Sequence, residues 1–331
     1  MTRKIFFLLF LLCFYETISA QNRISYTIEN TKGGLASNLI NCIEIDKKGI
    51  VWIGTLDGGV SRFDGTNWMN YTKENTKEGL ASNKIYCISF DKEGNVWFGT
   101  RRGACRFDGT NWNTYCKKNT KNAIPDNRVL TISSDKRGRQ WFGYMDEGVS
   151  VFDGKKWIRY MHTNSPIRAN VYSLALDSMG NVWCATFQEI VMHDSLGWHG
   201  HYLSKYYFVT KLVIDRKERF WCEIEDDGNS YFVTNSGDSI RTIIGERTNS
   251  VLNSSLKVYS IAYDSFDTIW LGTPKGVSKF DGSKLEDFMD MNFNWSPDDW
   301  KNGRHPISLA IDSKNNKWIG TSNGILVIKE E

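Results

Sequence analysis

Several absences narrow what this chain can be. After residue 15 it has no long apolar run, nowhere does it carry a block of like charge, and it lacks a nucleophile motif, a phosphate loop and a zinc signature. The formal net charge is +3. Without Arg3, Lys4 and Glu16 it is +2, too balanced to point to nucleic acid or an anionic membrane as partner. The five histidines are scattered, and His199 and His201 share a strand face with no third ligand, so neither a metal nor a cofactor is expected. The apolar run Ile5 to Tyr15 is shorter than the ~20 residues that cross a bilayer. With Arg3 and Lys4 before it and Ser19-Ala20 after it, it reads as a secretory signal peptide over residues 1–20, cleaved after Ala20. An uncleaved anchor is the alternative. Lipoprotein processing at Cys13 would want small residues where Phe10-Leu11-Leu12 stand.

Six cysteines lie beyond the leader, an even number that raises the question of disulfides. Their positions favour another role. Cys42 and Cys87 occupy one repeat position, and Cys184 and Cys222 each follow a repeat Trp, as small buried hydrophobes filling a layer would. A Cys105–Cys116 bridge on neighbouring strands is the one pairing left open.

What the chain has is a repeat. An Asp followed six residues later by Trp recurs at Asp46/Trp52, Asp91/Trp97, Asp135/Trp141, Asp177/Trp183, Asp215/Trp221, Asp264/Trp270 and Asp312/Trp318, spaced 38 to 49 residues apart. No helical period competes with the alternation around these pairs. The stretch from Gly79 to Lys118 is the most regular copy: four β-rich runs joined by tight turns, the content of one propeller blade. Seven copies predict an all-β, seven-bladed β-propeller with four-stranded blades over residues 21–331, expected to be a single domain and a monomer.

The repeat Asp begins a polar turn, where its side chain can accept backbone N–H bonds, rather than marking a calcium site, because Lys or Arg follows as often as an acid. A second signature, Phe63-Asp64-Gly65-Thr66-Asn67-Trp68, returns at Phe107 to Trp112 and at Phe152 to Trp157; Asp-Gly between β-rich runs is a hairpin signal. Its Phe and Trp either pack between blades or form a sugar-stacking row on the rim.

Gly-Leu-Ala-Ser-Asn at Gly34 to Asn38 and Gly79 to Asn83, then a strand, Asp-x-x-Gly, Val-Trp-Ile/Phe-Gly-Thr and Phe-Asp-Gly, resembles the two-component regulator propeller repeat over essentially residues 24 to 329. That resemblance implies kinship with the periplasmic sensor regions of bacterial hybrid histidine kinases, whose propellers are thought to sense polysaccharide breakdown products. Those proteins usually continue into a further β-domain, a membrane span and signalling domains, and this chain is expected to act as a stand-alone domain.

Arg23 to Thr31 aligns with Trp68 to Thr76, an outer strand, so the N-terminal segment is expected to complete the last blade and close the ring. Blade five alone places large charges, Lys211 and Glu223, at positions elsewhere held by small or polar residues; Lys211 is expected to pair with Glu223 or Glu225. Recognition is expected where repeats differ on one face. The loops there supply Arg101, Arg102, Asp146, Glu225, Asp226 and Asp227, and the long connection from Met289 to Pro306 adds Trp295, Trp300 and His305. Aromatic rings beside carboxylates suit sugars. The leading reading is a secreted or periplasmic module that binds or senses a glycan fragment or a protein partner. A propeller lyase or glycoside hydrolase, with His305 or these acids at the channel mouth, and an envelope scaffold are the alternatives.

Overall fold

A computed structural model describes residues 23–330 apart from 168–169, 188, 203–207, 227–228, 237–238, 245–256, 274–275, 282–283 and 291–307. The signal-peptide region lies outside the described residues. The described residues form seven four-stranded antiparallel sheets, one per repeat, arranged as a β-propeller without helices. In blade one the strands run Ile40–Ile45, Val51–Thr55, Val60–Phe63 and Trp68–Tyr71, from the channel outward. The seventh sheet joins Ser308–Ile311, Lys317–Thr321 and Gly324–Ile328 to the N-terminal strand Arg23–Tyr26, with Arg23 opposite Ile328 and Tyr26 opposite Ile325. The ring therefore closes by pairing the two ends of the chain, as the repeat alignment predicts.

Each repeat Asp ties its hairpin to its Trp. The Trp indole N–H donates to the Asp carboxylate in all seven blades, at distances from 2.8 Å for Trp221 to Asp215 up to 3.5 Å for Trp52 to Asp46. The other carboxylate oxygen accepts backbone N–H groups within the turn, as Asp135 does from Arg137 and Arg139. Burial pushes the Asp135 carboxyl up, but the Trp141 indole, the Arg139 N–H and the Arg139 guanidinium outweigh it and hold the group below the usual range.

The second strands are buried throughout in five blades, because both of their faces meet neighbouring blades. Small residues there are spacing requirements: a Cβ added to Gly54 would lie 2.5 Å from Cys42 Sγ and 2.7 Å from Ile85 of the next blade. The outer hairpins close a second, aromatic seam. Phe63 stacks on Trp68 at 4.5 Å, and Tyr26 of the preceding blade meets that Trp at 5.3 Å; Tyr71 with Trp112, Tyr115 with Trp157 and Tyr160 with Trp198 repeat the contact. The signature aromatics therefore pack between blades. All six cysteines among the described residues are free thiols, including Cys105 and Cys116.

Candidate functional site

In blades one to five the inner strand carries a β-bulge, with the pairing slipping between Ile40 and Cys42, Ile85 and Cys87, Val129 and Thr131, Val171 and Ser173, and Val209 and Lys211. A bulge inserts an extra residue and re-aims its side chain. The inserted residues in the first four blades are Asn41, Tyr86, Leu130 and Tyr172, all half-buried and lining one cavity of about 200 Å³ at the channel. Tyr259 of blade six lines it too but is buried in the core cluster between blades six and seven. These residues lie where the inner strands begin, on the face that carries the connections between blades and the loops between second and third strands. Hereafter this is the connection face; the opposite one, with the repeat Asp hairpins, is the Asp-turn face.

The mouth is built firmly. Asn41 Nδ2 donates to the carbonyls of Ile85 and Tyr86 at 2.8 and 3.1 Å, and Asn170 Nδ2 donates to the Tyr172 hydroxyl at 2.7 Å. The Lys84 ammonium lies 5.8 Å from the Tyr86 ring centre. Burial raises the pKa of Tyr86, opposed by the positive charges of Arg101 and Arg128. Arg101 and Arg102 form the exposed turn after Val96–Thr100 on this face, and Arg101 is near enough for its charge to act on Tyr86. Asp146 is also on this face, but it is engaged: Arg128 bonds it and pairs with Asp126 at 3.0 Å.

Blade five differs from the sequence expectation in one respect. Glu225 and Asp226 are not loop residues; they extend the strand Phe220–Asp226, opposite Ser230 and Asn229, because this blade's middle hairpin is longer than the others. Asp227, Trp295, Trp300 and His305 lie outside the described residues. Lys211 stands directly opposite Glu223, whereas Glu225 faces Phe208, so the register selects Glu223 as its partner. The Glu223 carboxylate also accepts the Val258 N–H of the next blade at 3.1 Å.

Further along the inner strands the same cavity is lined by Cys42, Cys87, Thr131, Ser173, Lys211, Ser260 and Ser308. The serines stitch blades together: Ser308 Oγ accepts the Ile43 N–H and Ser260 Oγ the Leu309 N–H, both at 2.9 Å. Lys211 touches channel water yet is enclosed by protein; that enclosure lowers its pKa, with Glu223 opposing. Deeper still, Glu44 meets the same water, and its enclosure raises its pKa to about 7. A carboxyl raised from 4.5 binds protons more tightly when folded, so its contribution favours the fold below that value and is lost as pH rises to about 7. The melting temperature measured from pH 4.5 to 7.5 is expected to decline by this increment in the wild type and to lose it in Glu44→Gln; an identical pH profile would contradict the assignment.

The geometry accords with a family-model match and with three solved structures. The family model for the two component regulator propeller matches residues 34–57 and 79–102. Among solved structures, the extracellular domain of a putative hybrid two component system of B. thetaiotaomicron superposes with a TM-score of 0.69 at 20% identity, covering 94% of this chain and 41% of that one. PorZ, a surface component of the type-IX secretion system of Porphyromonas gingivalis, gives 0.67 at 18% identity over 88% of this chain and 46% of its own. A streptogramin B lyase gives 0.70 at 13% identity, covering 92% and 96%. The chain thus spans less than half the length of the sensor and secretion relatives. No curated protein matches the sequence.

Proposed function

We propose, for a chain built of two component regulator propeller repeats, that this is an extracytoplasmic sensing module and that it takes a glycan fragment at the channel mouth of the connection face. The observation that carries this reading is the bulge-directed arc of Tyr86, Leu130 and Tyr172 on three consecutive blades. Aromatic faces complement the apolar faces of sugar rings, and rigid strands hold them in place without ordering cost at binding. A cavity of about 200 Å³ is smaller than the ~300–1,000 Å³ of drug-sized sites, so it suits the terminal ring of a longer chain. Arg101, whose charge acts on Tyr86, and the exposed Arg102 next to it in the same turn favour a ring that carries a carboxylate.

The extracellular origin of the superposable sensor domain supports the compartment. No helix of the described residues is long and apolar enough to cross a membrane. A thermal-shift screen against neutral glucan, mannan and galactan fragments and against oligogalacturonides is expected to show stabilisation by the acidic series. Stabilisation by none of them would count against glycan sensing; ultraviolet-absorbing unsaturated ends appearing in the same mixtures would favour the lyase.

A further inference from the structure

Net charge conceals how this surface is arranged. The three most exposed large hydrophobic side chains among the described residues, Leu196 at 87%, Met179 at 77% and Phe266 at 73%, all project from the Asp-turn face. Met179 and Phe266 sit two residues after a repeat Asp, their N–H groups bonded to Asp177 and Asp264, and Leu196 occupies the outer turn of Met179's own blade. Each stands at the tip of a tight hairpin rather than in a groove. The blades on either side of Met179 and Leu196 present exposed cations at the matching tips: Lys136, Arg137, Lys155 and Lys156 on blade three, and Lys217 on blade five beside Arg216, which pairs with Asp267 at 3.4 Å. Asp153 and Asp194, the acids of the outer turns here, point their carboxylates back at their own turn N–H groups.

The tips are held against one another. Glu218 accepts the Ser178 N–H across the blade boundary, Arg216 donates to the Ser265 carbonyl at 3.0 Å, and Asn315 Nδ2 donates to Ser265 Oγ at 2.7 Å. A rigid face with isolated apolar tips set among mainly lysine cations matches an interfacial membrane contact, in which apolar side chains enter the headgroup boundary and cations meet anionic lipid. Protein interfaces, by contrast, are depleted in Lys.

We propose that the Asp-turn face docks on an anionic membrane surface through Met179, Leu196 and Phe266, leaving the tyrosine-lined mouth turned away from the lipid. The inference is independent of what that mouth binds. It is tested by co-sedimenting the protein with phosphatidylcholine vesicles with and without 30% phosphatidylglycerol. Binding is expected to the anionic vesicles alone and to weaken sharply with salt. Lys136→Glu with Arg137→Glu is expected to weaken it about 25-fold or more, at roughly fivefold per charge near the surface. Met179→Ser with Leu196→Ser should weaken it as well. Because these side chains are exposed, unchanged melting curves confirm that the variants fold. No binding to anionic vesicles, equal binding to neutral ones, or binding indifferent to the serine pair and competed by soluble heparin would overturn the proposal; the last outcome would mark the face as a site for soluble polyanions.

Discussion

Deleting residues 23–30 is expected to lower the melting temperature by roughly 10 °C or more and to shift the protein toward larger species. The deleted strand supplies the whole outer edge of the seventh sheet, pairing Ile24 with Val327 and Tyr26 with Ile325. Tyr26 also stacks on Trp318 and meets Phe63 and Trp68, so one side chain bonds the last blade to the first. Losing an aromatic of this kind alone costs about 3–5 kcal/mol, and a domain of this size shifts by roughly 2–4 °C for each kcal/mol. The deletion removes the strand's ladder bonds as well, and it leaves Gly324–Ile328 as an unprotected edge that invites pairing with another chain. Calorimetry with size-exclusion chromatography checks both parts. Tyr26→Ala, which keeps the strand, should reproduce only the stability loss.

The second large effect is expected at Trp141. The side chain is fully buried, stacks on Tyr160 at 6.0 Å, and meets His193 at 5.2 Å and Trp198 at 6.1 Å in the next blade. Its indole N–H donates to Asp135 at 2.9 Å, and the Arg139 guanidinium lies over its ring. Trp141→Ala is therefore expected to destabilise by about 3–5 kcal/mol, near 10 °C in melting temperature. Trp141→Phe keeps the ring packing and removes the indole donor, so about 1–3 kcal/mol is expected from leaving the buried Asp135 short of a partner. If denaturant melts of Trp141→Phe and the wild type coincide, the indole bond contributes nothing and the clamp is packing alone.

Features contained within one hairpin were legible in the sequence. Asp135 and Trp141 are six residues apart and repeat seven times, so spacing alone disclosed blade number, turns and buried Trp. Closure was legible because Arg23 to Thr31 aligns with Trp68 to Thr76. The candidate site was much less so. Tyr86 and Tyr172 look like ordinary strand residues until the bulge that redirects them is seen, and a bulge has no composition signal here. Leu130 and Asn41 hold the same repeat position in blades three and one, but only the register turns that variation into a lining.

Charges behaved similarly. Arg101 and Arg102 stand out as departures from the repeat and fall in an exposed turn of the connection face, whereas Asp146 is spent on Arg128, 18 residues before it. Lys211 was visible as an oddity, yet choosing Glu223 over Glu225 required the strand pairing. The lysines after the repeat Asp were in plain view too; only the ring of hairpins gathers them on one face beside Met179 and Leu196.

The central claim, that a ligand enters at the tyrosine-lined mouth, is tested most directly by isothermal titration of an acidic oligosaccharide that stabilises the wild type into Tyr86→Ala and Tyr172→Ala. Affinity is expected to fall about 3- to 10-fold for each substitution, from loss of about 0.5–1.5 kcal/mol of stacking, with the melting temperature of the free protein little changed. Undiminished affinity in the double variant would contradict the account and place recognition elsewhere on the propeller.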